Sequence, residues 1–210
     1  PAAPRVGPVE LGHHSREVTA LAALPDRRVV SGGNDARVLV WDPAAPGTAA
    51  AELGHHDEAM EALAVLPDGR VVSGSFGPVL VWDPASPGAA PVELGRHMDW
   101  VEGVAVLPDG RVVSGSRDNQ VLMWDPAAPG TAPVELGRHG GVTAVAALPD
   151  GRVVTGGGYD GRVLVWDPAA PGTAPVELGR HDDPVRAVAV LPDGRVVSGG
   201  DDKRVLVWDP

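Results

Sequence analysis

Short runs of alternating apolar and polar residues fill this chain, and no window keeps helical spacing for longer than a turn or two. Four such runs form a unit. The first reads Val176-Glu177-Leu178, with apolar residues flanking Glu as in a half-exposed strand. A Gly and a His follow. The second run is rich in small apolar residues, as in Val185-Arg186-Ala187-Val188-Ala189-Val190-Leu191. Pro-Asp-Gly then marks a tight turn, as at Pro67-Asp68-Gly69, although the first copy has Pro25-Asp26-Arg27. The third run is Arg111-Val112-Val113-Ser114-Gly115, and the fourth ends in Trp-Asp-Pro. The Trp positions are 41, 82, 124, 166 and 208, so the unit recurs at steps of 41, 42, 42 and 42 residues.

Four strands repeated at a period near 42 residues predict an all-β propeller, with one four-stranded antiparallel sheet per blade. The Ala- and Pro-rich links, such as 126–133, recur with the repeat and read as loops inside it. Asp150-Gly151-Arg152, the Ser/Thr-Gly-Gly step and the Trp-Asp ending resemble the WD-repeat (WD40) family, across the whole chain. In that family the sequence repeat starts on the outer strand of one blade and continues on the inner three strands of the next. The resemblance therefore implies one domain over residues 1–210, a five-bladed propeller. Residues 1–11 are expected to supply the outer strand of the last blade, with 8–11 beside 205–208, closing the ring and removing open sheet edges. Seven blades are usual in the family, and five require a turn of about 72° per blade instead of about 51°. The alternative is a ring shared between chains or a longer array.

The resemblance also implies a structural hydrogen-bond chain of His, Ser or Thr, Asp and Trp in each blade. Its members are His14, Ser31, Asp35 and Trp41 in blade 1, and His97, Ser114, Asp118 and Trp124 in blade 3. Blade 4 has His139, Thr155, Asp160 and Trp166, and blade 5 has His181, Ser198, Asp202 and Trp208. Blade 2 has His56, Ser73 and Trp82 but no Asp in Ser75-Phe76-Gly77-Pro78, so its chain is expected to be incomplete. Blade 4 loses a residue after His139 and gains one near Gly158-Tyr159. Ser, His and Asp also compose a nucleophilic triad. Catalysis, however, needs one singular constellation with an oxyanion site, whereas this one recurs at scaffold positions in every unit. The sequence thus points away from an enzyme.

Positions that the repeat fails to repeat fall in two loops: the one after each His, and the turn before each fourth strand. Thr19, Glu61, Glu102, Thr143 and Arg186 are equivalent, as are Asn34, Phe76, Arg117, Tyr159 and Asp201. In the family fold these loops share one face around the channel mouth, a face commonly used to hold peptides and partner proteins. The chain has eight aromatics (six Trp, one Tyr, one Phe), and the three outside the repeat, Phe76, Trp100 and Tyr159, all lie in these loops. Aromatics and Arg are the usual anchors of interfaces. The candidate binding residues are therefore Trp100, Phe76, Tyr159, Glu61, Glu102, Arg117 and Arg186. With Asp57, Glu58 and Asp99 nearby, such a rim suits a Lys- or Arg-bearing segment.

Composition narrows the partners. Net charge is −11, which disfavours nucleic acid and anionic membranes and admits a basic protein or peptide. There is no Cys, hence no disulfide framework and no thiolate metal site. His13-His14 and His55-His56 lack a third marked ligand, and Arg186, Lys203 and Arg204 can neutralise Asp182-Asp183 and Asp201-Asp202, so no metal or cofactor is expected. No apolar run approaches membrane-spanning length, and the N-terminus has no signal-peptide layout, which suggests a cytoplasmic monomer or shared ring. The functional expectation is a non-enzymatic scaffold for a protein or peptide. The alternatives are a structural or sensor segment of a larger protein, like the near-identical repeats attached to bacterial kinase or nucleotide-hydrolysing domains, or an engineered or excised propeller without a native ligand.

Overall fold

The computed structural model describes residues 7–210, and every regular element in them is a β-strand. Strands β1 (Val18–Ala23), β2 (Val29–Gly33), β3 (Arg37–Trp41) and β4 (Ala51–His55) form one antiparallel sheet in sequence order. The next sheet has seven strands: β5 (Ala62–Val65), β6 (Val71–Gly74), β7 (Phe76–Trp82), β8 (Val92–Val106), β9 (Val112–Ser116), β10 (Gln120–Trp124) and β11 (Val134–Arg138). It joins two blades, because β8 runs 15 residues as the outer strand of one and the inner strand of the next. Strands β12 (Val142–Ala147), β13 (Val153–Gly157), β14 (Arg162–Trp166) and β15 (Val176–Arg180) form a third sheet. The last holds only β16 (Val185–Val190), β17 (Val196–Gly200) and β18 (Val205–Trp208).

Local chemistry explains the hairpins. In the turn at Pro67-Asp68-Gly69, Asp68 accepts the Arg70 backbone N–H at 3.0 Å and its carboxylate meets the Arg70 guanidinium at 2.8 Å. Gly69 takes a positive φ of 89°, which glycine reaches without steric cost. The first repeat keeps the same Asp26–Arg28 contacts but places Arg27 at φ 74°.

The core lies between successive blades. One layer joins Val38, Val40 and Leu53 to Met60, Val71 and Trp82, and three similar layers follow along the chain. The outer-strand glycine of one blade lies flat on the Trp of the next. A Cβ on Gly54 would meet the Trp82 ring at 2.4 Å, and Gly95, Gly137 and Gly179 stand likewise against Trp124, Trp166 and Trp208. This contact sets the blade spacing, and it is the reason for glycine there.

The expected ring closure is not seen among the described residues. Residues 8–11 form no strand, and β18 pairs only with β17. Gly12 instead lies on Trp41, where the outer strand of a preceding blade would stand. Residues 1–6 of the predicted closing segment lie outside the described residues.

Two stability predictions follow from this geometry. Arg27→Gly relieves a left-handed arginine and is expected to raise stability by about 0.5–1 kcal/mol, measured by urea unfolding. Gly137→Ala forces a methyl into the Trp166 ring and is expected to cost about 1–3 kcal/mol in the same measurement.

Candidate functional site

In blade 1 the Trp41 indole N–H donates to Ser31 Oγ at 2.6 Å, His14 Nε2 meets the same hydroxyl at 2.6 Å, and His14 Nδ1 meets Asp35 at 2.9 Å. Blade 3 repeats this through Trp124, Ser114, His97 and Asp118 at 2.7, 2.7 and 3.0 Å. In blade 5 Trp208 and His181 both reach Ser198 at 2.7 Å, and His181 Nδ1 lies 2.9 Å from Asp202. The hydroxyls and imidazoles are buried. The Asp also folds the loop. Asp118 accepts the backbone N–H of Met98 and of Gln120, both at 2.8 Å. Burial alone would raise the Asp118 carboxyl, but these bonds and His97 hold it below its usual range. Asp35 behaves in the same way.

Two blades depart from the pattern. In blade 2, Ser73 Oγ accepts the Trp82 indole N–H at 2.6 Å and meets His56 Nε2 at 2.6 Å, while the buried His56 Nδ1 has no hydrogen-bond partner among the described residues. Burial pushes the His56 imidazole down to about 4. In blade 4 the imidazole is reversed: His139 Nδ1 meets Thr155 at 2.7 Å, and Nε2 lies 3.3 Å from Asp160 Oδ1 without hydrogen-bond alignment. The residue missing after His139 accounts for the altered approach. Burial lowers the His97 and His139 imidazoles as well.

The lost Asp of blade 2 reshapes its neighbour. Without that carboxylate to fold the loop, β7 starts early, and Phe76 pairs directly with Trp100 on β8. Their rings meet edge to face, with centroids 5.4 Å apart and planes at 73°. Phe76 is exposed, Trp100 half-buried, and Met98, between the paired positions, is 85% exposed. Met98 was not among the candidates. Its place in a varying loop was the available signal, but it is not aromatic.

The inner strands line an open channel of about 600 Å³, whose walls include the equivalent positions Thr19, Glu61, Glu102, Thr143 and Arg186. The two threonines share their hydroxyls between blades. Thr19 Oγ1 reaches Gly32 O at 3.2 Å and also Met60 O, and Thr143 Oγ1 reaches Gly156 O at 3.1 Å and Val185 O at 2.5 Å. That clip was not legible as a role from sequence. Where Glu replaces Thr, charge enters the channel. Arg117 Nε stands 2.5 Å from Glu102 Oε1, an ion pair without hydrogen-bond alignment. Burial and the nearby Glu102 raise the Glu61 carboxyl, against the pull of Arg117.

Tyr159 stands apart from this group, whereas Arg186 lines the channel with it. Tyr159 is 72% exposed, and its ring covers Gly141, where a Cβ would meet it at 2.6 Å. Arg186 is held by Asp201 through bonds of 2.9 and 2.5 Å. Arg204 likewise ties Asp182 and Asp202, at 2.7 and 2.9 Å. Among the described residues no group of three or more His, Asp or Glu side chains is placed to hold a metal ion, and no helix is long and apolar enough to cross a membrane.

Glycine-on-tryptophan spacing, the His–Ser–Trp line and sheets built from the 42-residue unit coincide with the family model for the WD domain, G-beta repeat, over residues 8–42, 92–125, 131–167 and 173–209. The chain belongs to the WD40-repeat family. That match covers more than half of the chain and leaves out 43–91, the span that holds the second repeat with its missing Asp. Two solved WD40-type structures are similar. One is described as the structure of U3-55K, at 26% identity and a TM-score of 0.82, and the other as the crystal structure of RRP9 WD40 repeats, at 26% and 0.83. Each comparison covers 94% of this chain and 62% of the other, so the chain spans about 62% of the length of these relatives. No match is found among curated proteins. The WD40 fold is generally a non-enzymatic interaction scaffold.

The buried imidazoles make stability depend on pH. His56 binds its proton less readily when folded (about 4) than when free (6.5), so the unfolded chain takes up more protons between those values. Stability is therefore full above pH 6.5 and falls as pH drops towards 4, by about 3 kcal/mol from this residue. His56→Gln is expected to flatten that slope in denaturant titrations across the same range. Ser114→Ala strands two buried groups, Trp124 Nε1 and His97 Nε2, and is expected to cost about 2–4 kcal/mol in urea unfolding.

Proposed function

We propose that this WD40 chain is a non-enzymatic scaffold that binds a basic protein or peptide at the loop face around its channel. On this reading residues 1–210 act as one domain of five repeats. The observation that carries it is the edge-to-face contact of Phe76 with Trp100, with the exposed Met98 two residues before Trp100 on β8, at the blade pair that also contributes Glu61 and Glu102. Glu61 and Glu102 share Arg117 there, and Arg186, which lines the same channel, is tied to Asp201, so three carboxylates stand against two guanidinium groups. An aromatic ledge and a carboxylate pair suit a Lys or Arg neighboured by a large apolar side chain. Arg117 is then the internal counter-charge that such a side chain displaces or joins. Arg186, on the last blade, contributes to the channel lining, and Tyr159 to the outer rim. The strand-built walls hold the site in shape before binding, so little ordering cost attends association.

A peptide array tests this reading. Octapeptides that place Arg or Lys beside Leu or Phe are expected to bind the full chain, and those with Glu in place of the basic residue are not. Added salt should weaken the binding. Trp100→Ala combined with Glu102→Ala should lower the affinity by about tenfold or more. Equal binding of basic and acidic peptides, or an unchanged affinity in the double variant, would sink the proposal.

A further inference from the structure

In blades 1, 3 and 5 one carboxylate meets two donors after the His. It faces the imidazole Nδ1, as Asp35 faces His14 at 2.9 Å and Asp118 faces His97 at 3.0 Å. It also accepts the next backbone N–H, from Ser15 at 2.9 Å, from Met98 at 2.8 Å and from Asp182 at 3.3 Å. The equivalent donors in blade 2 are His56 Nδ1 and the Asp57 N–H, and Ser75-Phe76-Gly77-Pro78 brings no carboxylate to them. The turn itself is kept. Gly77 takes φ 96° where Ala36 and Asn119 take 64° and 71° in blades 1 and 3. The shortening thus removes the acceptor and leaves the frame that held it.

The protonation of blade 2 follows from its bonds. Ser73 is buried, and its Oγ accepts the Trp82 indole N–H. The hydroxyl proton then goes to His56 Nε2, 2.6 Å away, so the neutral imidazole carries its own proton on Nδ1. His56 is 3% exposed, and this Nδ1 has no hydrogen-bond partner among the described residues. A buried donor without an acceptor costs stability. Asp57 and Glu58, which follow it, and Phe76 of the shortened turn are all exposed.

We infer that blade 2 takes one carboxylate from outside the chain, bound by His56 Nδ1–H and the Asp57 N–H in the place that Asp35 and Asp118 fill in their own blades. Its two oxygens satisfy both donors. Acidic neighbours are compatible with it: in blade 5 Asp202 meets His181 at 2.9 Å beside Asp182-Asp183. Arg204 offsets that charge in blade 5, and Arg96 lies close enough to Asp57 for their charges to interact in blade 2. The carboxylate comes from an acidic side chain of a partner or from a small free acid. Neither His56 nor Asp57 lines the channel, so the site stands apart from the basic-peptide reading.

The test titrates the histidine ring signals of the full chain by NMR between pH 4 and 7, in sodium formate and in sodium chloride at equal ionic strength. Formate should raise the His56 midpoint from about 4 by about one pH unit or more, a tenfold gain in proton affinity. The ring signals of His14 and His97, which already face Asp35 and Asp118, should not respond to the exchange of salts. Inserting Asp between Phe76 and Gly77 should abolish the response of His56. The unaltered chain carries its own controls, so the test stands even where that variant does not fold. The peptide acetyl-Gly-Asp-Gly-amide, set against its Asn counterpart, identifies the source. A shift with the Asp peptide supports a partner's side chain, and a shift with formate alone supports a small free acid. A His56 midpoint equal in formate and chloride would overturn the proposal, as would an equal shift of all three histidines.

Discussion

A buried hydroxyl in the third strand of each repeat holds the blade together. It accepts the indole N–H of the Trp that ends the fourth strand, and it touches the His that follows the preceding outer strand. Three segments distant in sequence thus meet at one oxygen inside an apolar layer, where an unmade hydrogen bond is costly. The Trp fixed in this way presents its ring face to the glycine of the neighbouring blade, so one polar contact orders both the blade and the spacing between blades. The valine layers between blades depend on that spacing.

The Asp is the replaceable member. Its carboxylate satisfies the imidazole and folds the loop after the His. Without it, blade 2 keeps the Trp–Ser–His line, leaves a buried imidazole nitrogen without a partner among the described residues, and spends its loop on strand. The strand extension brings Phe76 against Trp100, and β8 runs unbroken between two blades. A lost scaffold residue and a gained apolar surface are therefore one structural event. In the channel, replacement of Thr by Glu in the same two blades exchanges an interblade hydrogen bond for charge.

Much of this was legible in the chain. Strand order, the Pro-Asp-Gly turns and the incomplete polar line of blade 2 follow from spacing and residue type. The Phe76–Trp100 contact does not, because 24 positions separate the two residues and their meeting depends on where β7 begins. Met98 escaped for the same reason: nothing in a lone methionine says that it stands exposed two residues from a Phe–Trp contact.

The sequence by itself determined the repeat, its four strands, and which residues serve the scaffold, since those depend on local alternation and a fixed period. Tertiary structure alone decided how far the blades turn. That angle is set by glycine–tryptophan and valine contacts between units that are far apart in the chain. The match of residues 8–11 to an outer strand was visible in the sequence, but its distance from β18 was not. Among the described residues that segment forms no strand, and its Gly12 lies on Trp41.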